Sequence, residues 1–169
     1  MTTSYLMPPR AVDNDGNPRR AGFEFEFGNL PILEAAEELR KALGGELESK
    51  TPFEAVLHDS RVGRLKIERD ADILKSVKYR RWLETLGIEF TPGTIAHEIE
   101  ANIDSASKTL VPCEVVTDPI PFDQLSDLDS LVKTLNAMGA EGTQESLIYA
   151  FGRHINPSIP DRSPTTLMR

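Results

Sequence analysis

The sequence feature that most constrains the fold is a short run in which aromatic and acidic residues alternate. Residues 22–28 read Gly-Phe-Glu-Phe-Glu-Phe-Gly, so three phenylalanines are separated by two glutamates. Successive side chains in a β-strand point to opposite faces, and this period of two therefore predicts a strand with one apolar and one acidic face. The apolar face needs a cover, while Glu24 and Glu26 project together from the other face.

The glutamate pair has two open explanations. An antiparallel strand with one solvent-facing side is common and requires no function. However, carboxylates at neighbouring positions on one face repel each other, and strands disfavour glutamate. A divalent cation between Glu24 and Glu26 makes the same arrangement favourable, because hard cations take carboxylate oxygens as ligands. The pair is therefore a candidate metal site.

Patterns elsewhere predict an α+β fold with a mostly antiparallel sheet packed against helices. One helix is predicted to open at Pro31, after a cap at Asn29, and to run through Leu43, where the glycines at 44–45 end it. A second helix is predicted around residues 125–138. Residues 1–20 are predicted to be an irregular lead-in and residues 158–169 an irregular tail. Further predictions are strands at 63–68, 110–117 and 146–155, helices at 78–86 and 94–103, a loop at 58–60 and a turn at 118–121.

Charge and composition narrow the classes of function. The 169-residue chain has 19 Lys and Arg against 27 Asp and Glu, a formal net charge of -8. That balance argues against a nucleic-acid binder or a polybasic membrane anchor. Nucleotide binding stays open, because bound divalent ions can supply the positive charge that phosphates need. The single cysteine, Cys113, fits a reducing compartment, and we interpret it as a small apolar residue rather than a nucleophile. No apolar run approaches the ~18 residues that span a bilayer, so we expect a cytoplasmic protein.

Three further positions could carry chemistry. Glu114 is the one charge in the apolar run 111–117, and an acid in such a run is rarely buried unless it is paired or bound to a metal. The alternative for Glu114 is an ordinary glutamate on an edge strand or on the surface. His154, near the end of the last predicted strand, is either structural or a ligand. The charged segment 66–72 is either a solvated rim or an acidic loop over a site.

Three blocks occur in the order found in the amidoligase family, which the chain resembles. The strand at 22–27, the block Glu-Val-Val-Thr-Asp-Pro-Ile at 114–120 and the block Phe-Gly-Arg-His-Ile-Asn-Pro at 151–157 resemble, in turn, the family's opening strand, its glutamate strand and its glycine–histidine strand. The family consists of carboxylate–amine ligases with a catalytic fold of the glutamine synthetase and glutamate–cysteine ligase type. The resemblance implies that residues 21–157 are the N-terminal part of such a catalytic domain.

The resemblance also implies a reaction and its cofactors. In this fold, glutamates and a histidine on neighbouring antiparallel strands hold divalent ions that bind the phosphates of ATP. Carried over residue by residue, the implied metal ligands are Glu24, Glu26, Glu114 and His154. Lys66 and Asp70 are expected near the nucleotide, at the rim of the site. The expected cofactors are ATP and Mg²⁺, with Mn²⁺ better suited to a histidine ligand, and the expected reaction joins a small-molecule or peptide carboxylate to an amine through an acyl phosphate.

Length is where the chain departs from the family pattern. Family members continue beyond the histidine strand, so the resemblance implies a truncated member whose fold is incomplete at the C-terminus. A homo-oligomer or a partner chain is then expected to complete it. The alternative function is a non-catalytic homologue that acts in assembly or interaction, because an incomplete sheet exposes strand edges and apolar surface.

Overall fold

The computed structural model describes residues 5–51, 53–69, 112–141 and 152–168. In these ranges the chain forms one open antiparallel sheet with helices packed on one face, which confirms the predicted mixed class. The strands are β1 (Arg20–Phe27), β2 (Glu46–Thr51), β3 (Glu54–Ser60), β4 (Gly63–Arg69), β5 (Cys113–Thr117), β6 (Ile120–Pro121) and β7 (Arg153–Pro157). The helices are α1 (Ile32–Leu43), α2 (Leu128–Ala137), which follows a 3-10 turn at Phe122–Asp127, and the single turn α3 (Pro164–Leu167).

Strand β1 lies inside the sheet, with partner strands on both edges. The order is β2–β3–β4–β5–β1, and β6 and β7 also pair with β1. Glu24 and Phe25 each face a residue of β5 and a residue of β7, so these two strands occupy opposite edges of β1. The acidic residues of β1 therefore have neighbours on both sides.

The face of the sheet that carries the phenylalanines of β1 is covered by α1 and α2. Apolar side chains at alternate positions of β1, β3, β4 and β5 point to this side and meet the buried face of α1. Each fully buried leucine or isoleucine contributes about 1.5–3 kcal/mol relative to an exposed one. The most deeply buried large side chains of this core include Ile32, Leu39, Leu57, Leu65, Ile67 and Leu131.

Helix α1 ends at the predicted residue and begins one residue after the predicted start, because Pro31 is its N-cap rather than its first residue. Pro31 precedes its first residue, and Gly44 and Gly45 follow its last with φ angles of 75° and 96°. These left-handed conformations favour glycine because a side chain is strained there. Gly45 is further constrained because a Cβ at this position would overlap the carbonyl oxygen of His58 in β3.

The strand predictions at 22–28, 63–68 and 110–117 are confirmed by β1, β4 and β5. The prediction of a loop at 58–60 was wrong, because these residues complete β3, whose Val56 and Leu57 are fully buried. The predicted turn at 118–121 contains a short strand instead, β6, which resumes pairing with β1 after Pro119. Sequence patterns also missed β2, in which acidic and polar residues outnumber apolar ones.

Other predictions have mixed outcomes. Helix α2 is shorter than predicted, because the residues before Leu128 form a 3-10 turn, and α3 interrupts the tail predicted to be irregular. The predicted helices at 78–86 and 94–103, and the strand residues 146–151, lie outside the described residues. The domain boundaries at 21 and 157 stay a prediction. Among the described helices, none has the length and apolar character needed to cross a membrane.

Cys113 packs in the core as a small apolar residue, as predicted. Its side chain is 1% exposed, and its thiol contacts the carbonyl oxygen of Leu30 at 3.5 Å. Burial raises the pKa of the Cys113 thiol to about 11, because the charged thiolate is disfavoured away from water. The group therefore stays protonated near neutral pH and is a poor nucleophile.

Candidate functional site

The face of the sheet opposite the helices collects most of the charged residues of the strands. Directly opposed residues of an antiparallel pair share a face, and the register opposes Glu24 to His154 and Glu26 to Glu114. Glu114 is in turn opposed to Glu68 of β4. We call this surface the acidic face. Its members are Glu24 and Glu26 of β1, Glu54 of β3, Lys66 and Glu68 of β4, Glu114 of β5 and His154 of β7.

The carboxylate of Glu24 is held at both of its oxygens by side chains from β7. Its Oε2 lies 2.8 Å from Nδ1 of His154, and its Oε1 accepts a hydrogen bond of 3.0 Å from the amide of Asn156. These residues are two apart on β7, so they flank the position opposite Glu24. The arrangement fixes the rotamer of a partly buried carboxylate that is 32% exposed.

The carboxylate of Glu26 is held by backbone rather than by a side chain. The amide N–H of Gly152 donates to Glu26 Oε2 at 2.7 Å, and the amide of Glu26 donates back to the Gly152 carbonyl at 3.1 Å. A Cβ at residue 152 would lie 3.4 Å from Glu26 Oε2 and 3.6 Å from His154 Nε2. Glycine therefore leaves open a space onto which one carboxylate oxygen and one imidazole nitrogen converge.

Electrostatics couple His154 to three of the glutamates. The hydrogen bond to Glu24 raises the pKa of His154, and the negative charges of Glu26, Glu24 and Glu114 raise it further. Opposite charges close to an imidazole favour its protonated form. Glu114 is thus part of the same electrostatic cluster as His154, although β1 separates their strands.

Lys66 lies on the same face, two strands away from β1. Its ammonium contacts Glu68 Oε1 at 2.7 Å. That contact raises the pKa of Lys66, with smaller contributions from the charges of Glu68, Glu54 and Glu114. Lys66 is opposed to Val116, which is itself opposed to Glu24, so the lysine belongs to the row of residues that crosses the acidic face at Glu24.

A divalent metal ion fits the chemistry of this donor set. In the ranges that the structure describes, no three His, Cys, Asp or Glu side chains are already arranged as a ligand group. The donors are nevertheless those that Mg²⁺ and Mn²⁺ take, since carboxylate oxygens suit both ions and imidazole suits Mn²⁺. Beside Gly152, one carboxylate donor and one imidazole donor, Glu26 Oε2 and His154 Nε2, face the same space.

Of the six residues that the sequence predicts for the site, the structure places four at adjacent positions. Glu24, Glu26, Glu114 and His154 occupy adjacent positions on three strands, and Lys66 lies on the same face. Asp70 lies outside the described residues. Glu114 is on an interior strand, which excludes the edge-strand alternative.

Sequence reasoning missed the supporting roles of Gly152 and Asn156. Both lie in the block at 151–157 that carried the resemblance, but their partners are more than 100 residues away in sequence. Only the pairing of β7 with β1 reveals the contacts. By contrast, the period of two in the strand at 63–68 predicts that Lys66 and Glu68 share a face, and their ion pair confirms it.

The comparisons with known proteins give one match. The family described as "Putative amidoligase enzyme" matches residues 17–169, which include all of the strands and helices above. No curated protein and no solved structure matches the chain.

Proposed function

The chain belongs to the amidoligase family, and from this we propose that it is an ATP- and divalent-metal-dependent carboxylate–amine ligase. The observation that carries the proposal is the adjacency of Glu24, Glu26, Glu114 and His154 on one face of the sheet. The three carboxylates repel one another and favour a cation between them, and the imidazole adds a nitrogen ligand.

We propose that the catalytic fold is of the glutamine synthetase type. An antiparallel sheet with helices on one face and clustered carboxylates on the other supports this assignment. In such a fold the acidic face is the floor of the active site. Residues 21–157 would then form the N-terminal part of the catalytic domain.

The proposed metal ligands are Glu24, Glu26, Glu114 and His154. Bound Mg²⁺ or Mn²⁺ would supply positive charge that neutralises the phosphates of ATP during transfer of the γ-phosphoryl group. The protein's own contribution is to hold the ligands in place before the ion arrives. The side chains of β7 orient Glu24, and the N–H of Gly152 orients Glu26.

The proposed reaction has two steps. An oxygen of the substrate carboxylate attacks the γ-phosphorus of ATP, the bond to the β–γ bridging oxygen breaks, and an acyl phosphate and ADP form. The nitrogen of the amine substrate then attacks the acyl carbon, loses a proton and expels inorganic phosphate, which leaves an amide. The protein accelerates both steps by positioning the reactants and by excluding water from the acyl phosphate.

We propose that Lys66 contacts the nucleotide phosphates at the rim of the site, together with Asp70. The ion pair of Lys66 with Glu68 holds its ammonium on the acidic face, and its raised pKa keeps it charged. The substrates are a small-molecule or peptide carboxylate and an amine. We further propose a cytoplasmic location, supported by the single reduced cysteine.

Thermal unfolding tests the proposal directly. The purified chain is unfolded with ATP, with Mg²⁺, with Mn²⁺ and with ATP plus each ion. A ligand at 100 times its dissociation constant adds about 2.7 kcal/mol to stability, and we expect the full increase only when nucleotide and metal are both present. The increase should be lost in the double variant E24Q/E26Q.

A matched control is available on the same sheet. Glu46 and Glu48 are also two apart in a strand, and Glu48 contacts His58 at 2.9 Å, much as Glu24 contacts His154. E46Q/E48Q removes the same charge and leaves the proposed metal-binding residues intact. ATP and metal should therefore stabilise this variant as much as they stabilise the unchanged chain. Stabilisation that persists in E24Q/E26Q, or that disappears equally in both double variants, would contradict the assignment.

A further inference from the structure

An open cleft of about 600 Å³ lies at the end of β1 opposite to Glu26. The turn that precedes β1, the link between β5 and β6, and strand β7 form its walls. Prolines supply much of the lining, and polar groups stand among them. The residues that line it are Asp13, Asn17, Pro18, Arg20, Pro119, Ile155, Asn156, Pro157 and Ser158.

The cleft is continuous with the acidic face through Asn156. This residue lines the cleft and also donates its amide to Glu24. Gly22 is opposed to Asn156, lies between Arg20 and Glu24 on the same face of β1, and has no side chain to separate them. Glu24 follows Arg20 by four positions of strand, a distance between Cα atoms of roughly 13 Å.

Arg20 is the cation of the cleft. Its guanidinium has five N–H donors. Within the part of the chain that the structure describes, it makes one hydrogen bond, from Nη1 to the carbonyl oxygen of Pro119 at 3.3 Å. The other donors are available to a ligand. Asp13, the acid that lines the cleft, is occupied by its own turn, since its oxygens accept from the amides of Asp15 and Asn17 and from the Asn17 side chain.

We propose that this cleft is the substrate subsite that binds a free carboxylate at the far end of a short peptide-like substrate, through Arg20. The inference rests on the proposed function, because it supposes that the reacting carboxylate lies at Glu24 and Glu26. An extended peptide covers at most about 3.3–3.6 Å per residue, so a substrate of roughly two to four residues spans the distance. Guanidinium groups bind carboxylates in paired, charge-assisted hydrogen bonds.

The proline walls suit such a substrate. Pro18, Pro119 and Pro157 have no N–H, so these positions offer a bound peptide apolar ring contact and no backbone donor. The side-chain oxygens of Asn17 and Asn156 can accept from its N–H groups. The cationic Arg20, the proline contacts and the amide oxygens together select a small peptide-like acid.

The test measures binding to the full chain by NMR, without nucleotide or metal, so that it is independent of the proposed phosphoryl transfer. Triglycine is titrated against triglycinamide, which lacks only the carboxylate, and inorganic phosphate is the competing anion. We expect triglycine to shift the amide signals of Gly22 and the side-chain signal of Asn156. Triglycinamide should bind at least tenfold more weakly.

Two variants then locate the site. R20Q should lower triglycine affinity at least tenfold and leave Mn²⁺ affinity unchanged, whereas R40Q, on the exposed side of α1, should change neither. G22V should also weaken triglycine binding by blocking the path, and its new Cβ meets nothing closer than the Thr117 carbonyl oxygen at 3.8 Å. Equal binding of triglycinamide, preference for phosphate, or unchanged affinity in R20Q would each overturn the proposal. Loss of Mn²⁺ binding in E24Q/E26Q is a separate result, so failure of the metal site and of the subsite are distinguishable.

Discussion

Single residues of the site differ in how far sequence predicts them. Glu24 and Glu26 are predictable because a strand's period of two is local and places them on one face. Gly152 and Asn156 are not, because their roles consist of hydrogen bonds to carboxylates on a strand far away in the chain. A glycine and an asparagine near a proline otherwise indicate only a strand end.

Gly152 gives the first prediction at this scale. In G152A the new methyl group enters the space between Glu26 Oε2 and His154 Nε2, and Mn²⁺ affinity should fall at least tenfold by calorimetric titration. The fold should persist, since the methyl group meets the flexible end of a glutamate. G22A is the control, because its Cβ approaches only the Thr117 carbonyl oxygen, at 3.8 Å. Equal affinities in the two variants would remove Gly152 from the site.

Cys113 gives the second prediction at the scale of single residues. Its buried thiol has its pKa raised to about 11, so less than about 1% of it is thiolate at pH 8. Alkylation by iodoacetamide at pH 8 should be at least a hundredfold slower in the folded chain than in 6 M guanidinium chloride, conditions in which the thiol regains an ordinary pKa. A folded-state rate near the unfolded one would show that Cys113 is accessible.

At the scale of elements, helix α1 is predicted to within one residue at each end, and the β2–β3 hairpin is missed. The signals for α1 are local: a proline before it, apolar residues at helical spacing and two glycines after it. Strand β2 has almost no apolar alternation, because one of its faces is acidic and most of the other is exposed. It forms because its backbone pairs with β3, which sequence alone does not indicate.

The junction between α1 and β2 gives the third prediction. Gly45 and Gly16 both have left-handed φ angles, 96° and 84°, but only Gly45 lies against the backbone of β3. G16A should cost about 1 kcal/mol from backbone strain alone. G45A adds a clash with the His58 carbonyl and should cost more than about 2 kcal/mol, because β3 must move. Denaturant unfolding measures both, and equal costs would contradict the close packing at this junction.

At the scale of the whole molecule, the two ends of the described chain are joined beside β1. Arg10 contacts Asp161 at 2.5 Å, and the Arg19 guanidinium donates to the carbonyl oxygen of Ser158. The backbone N–H of Asn14 also donates to the Pro160 carbonyl oxygen. These contacts hold the lead-in and the tail against the outer strand, although neither segment has a periodic pattern that predicts the association.

This connection gives the fourth prediction. Hydrogen bonds from Ser163, then from Arg10, hold the pKa of Asp161 well below its ordinary value of 3.8. A lowered folded-state pKa stabilises the protein above the unfolded-state value and is lost as pH falls through the folded-state value. D161N should therefore lower Tm near neutral pH, and the difference should shrink steadily below pH ~4. A difference in Tm that is independent of pH would exclude an electrostatic origin.

The site is built from strands that are distant in sequence, so its assembly cannot be predicted from local sequence patterns. The glutamate blocks and the histidine block are visible in sequence, but nothing local indicates that β5 and β7 flank β1 on opposite edges. Tertiary pairing places Glu114 opposite Glu26 and His154 opposite Glu24. The acidic face is consequently a property of the assembled sheet.

The central claim is that this face binds a divalent metal together with a nucleotide, and the most direct measurement is binding of Mn²⁺ followed by electron paramagnetic resonance. The full chain is titrated with Mn²⁺ in the presence and absence of ATP, beside E24Q/E26Q and E46Q/E48Q. We predict that ATP tightens Mn²⁺ binding, that E24Q/E26Q weakens it at least a hundredfold, and that E46Q/E48Q leaves it unchanged. Equal Mn²⁺ binding by the two double variants would contradict the claim.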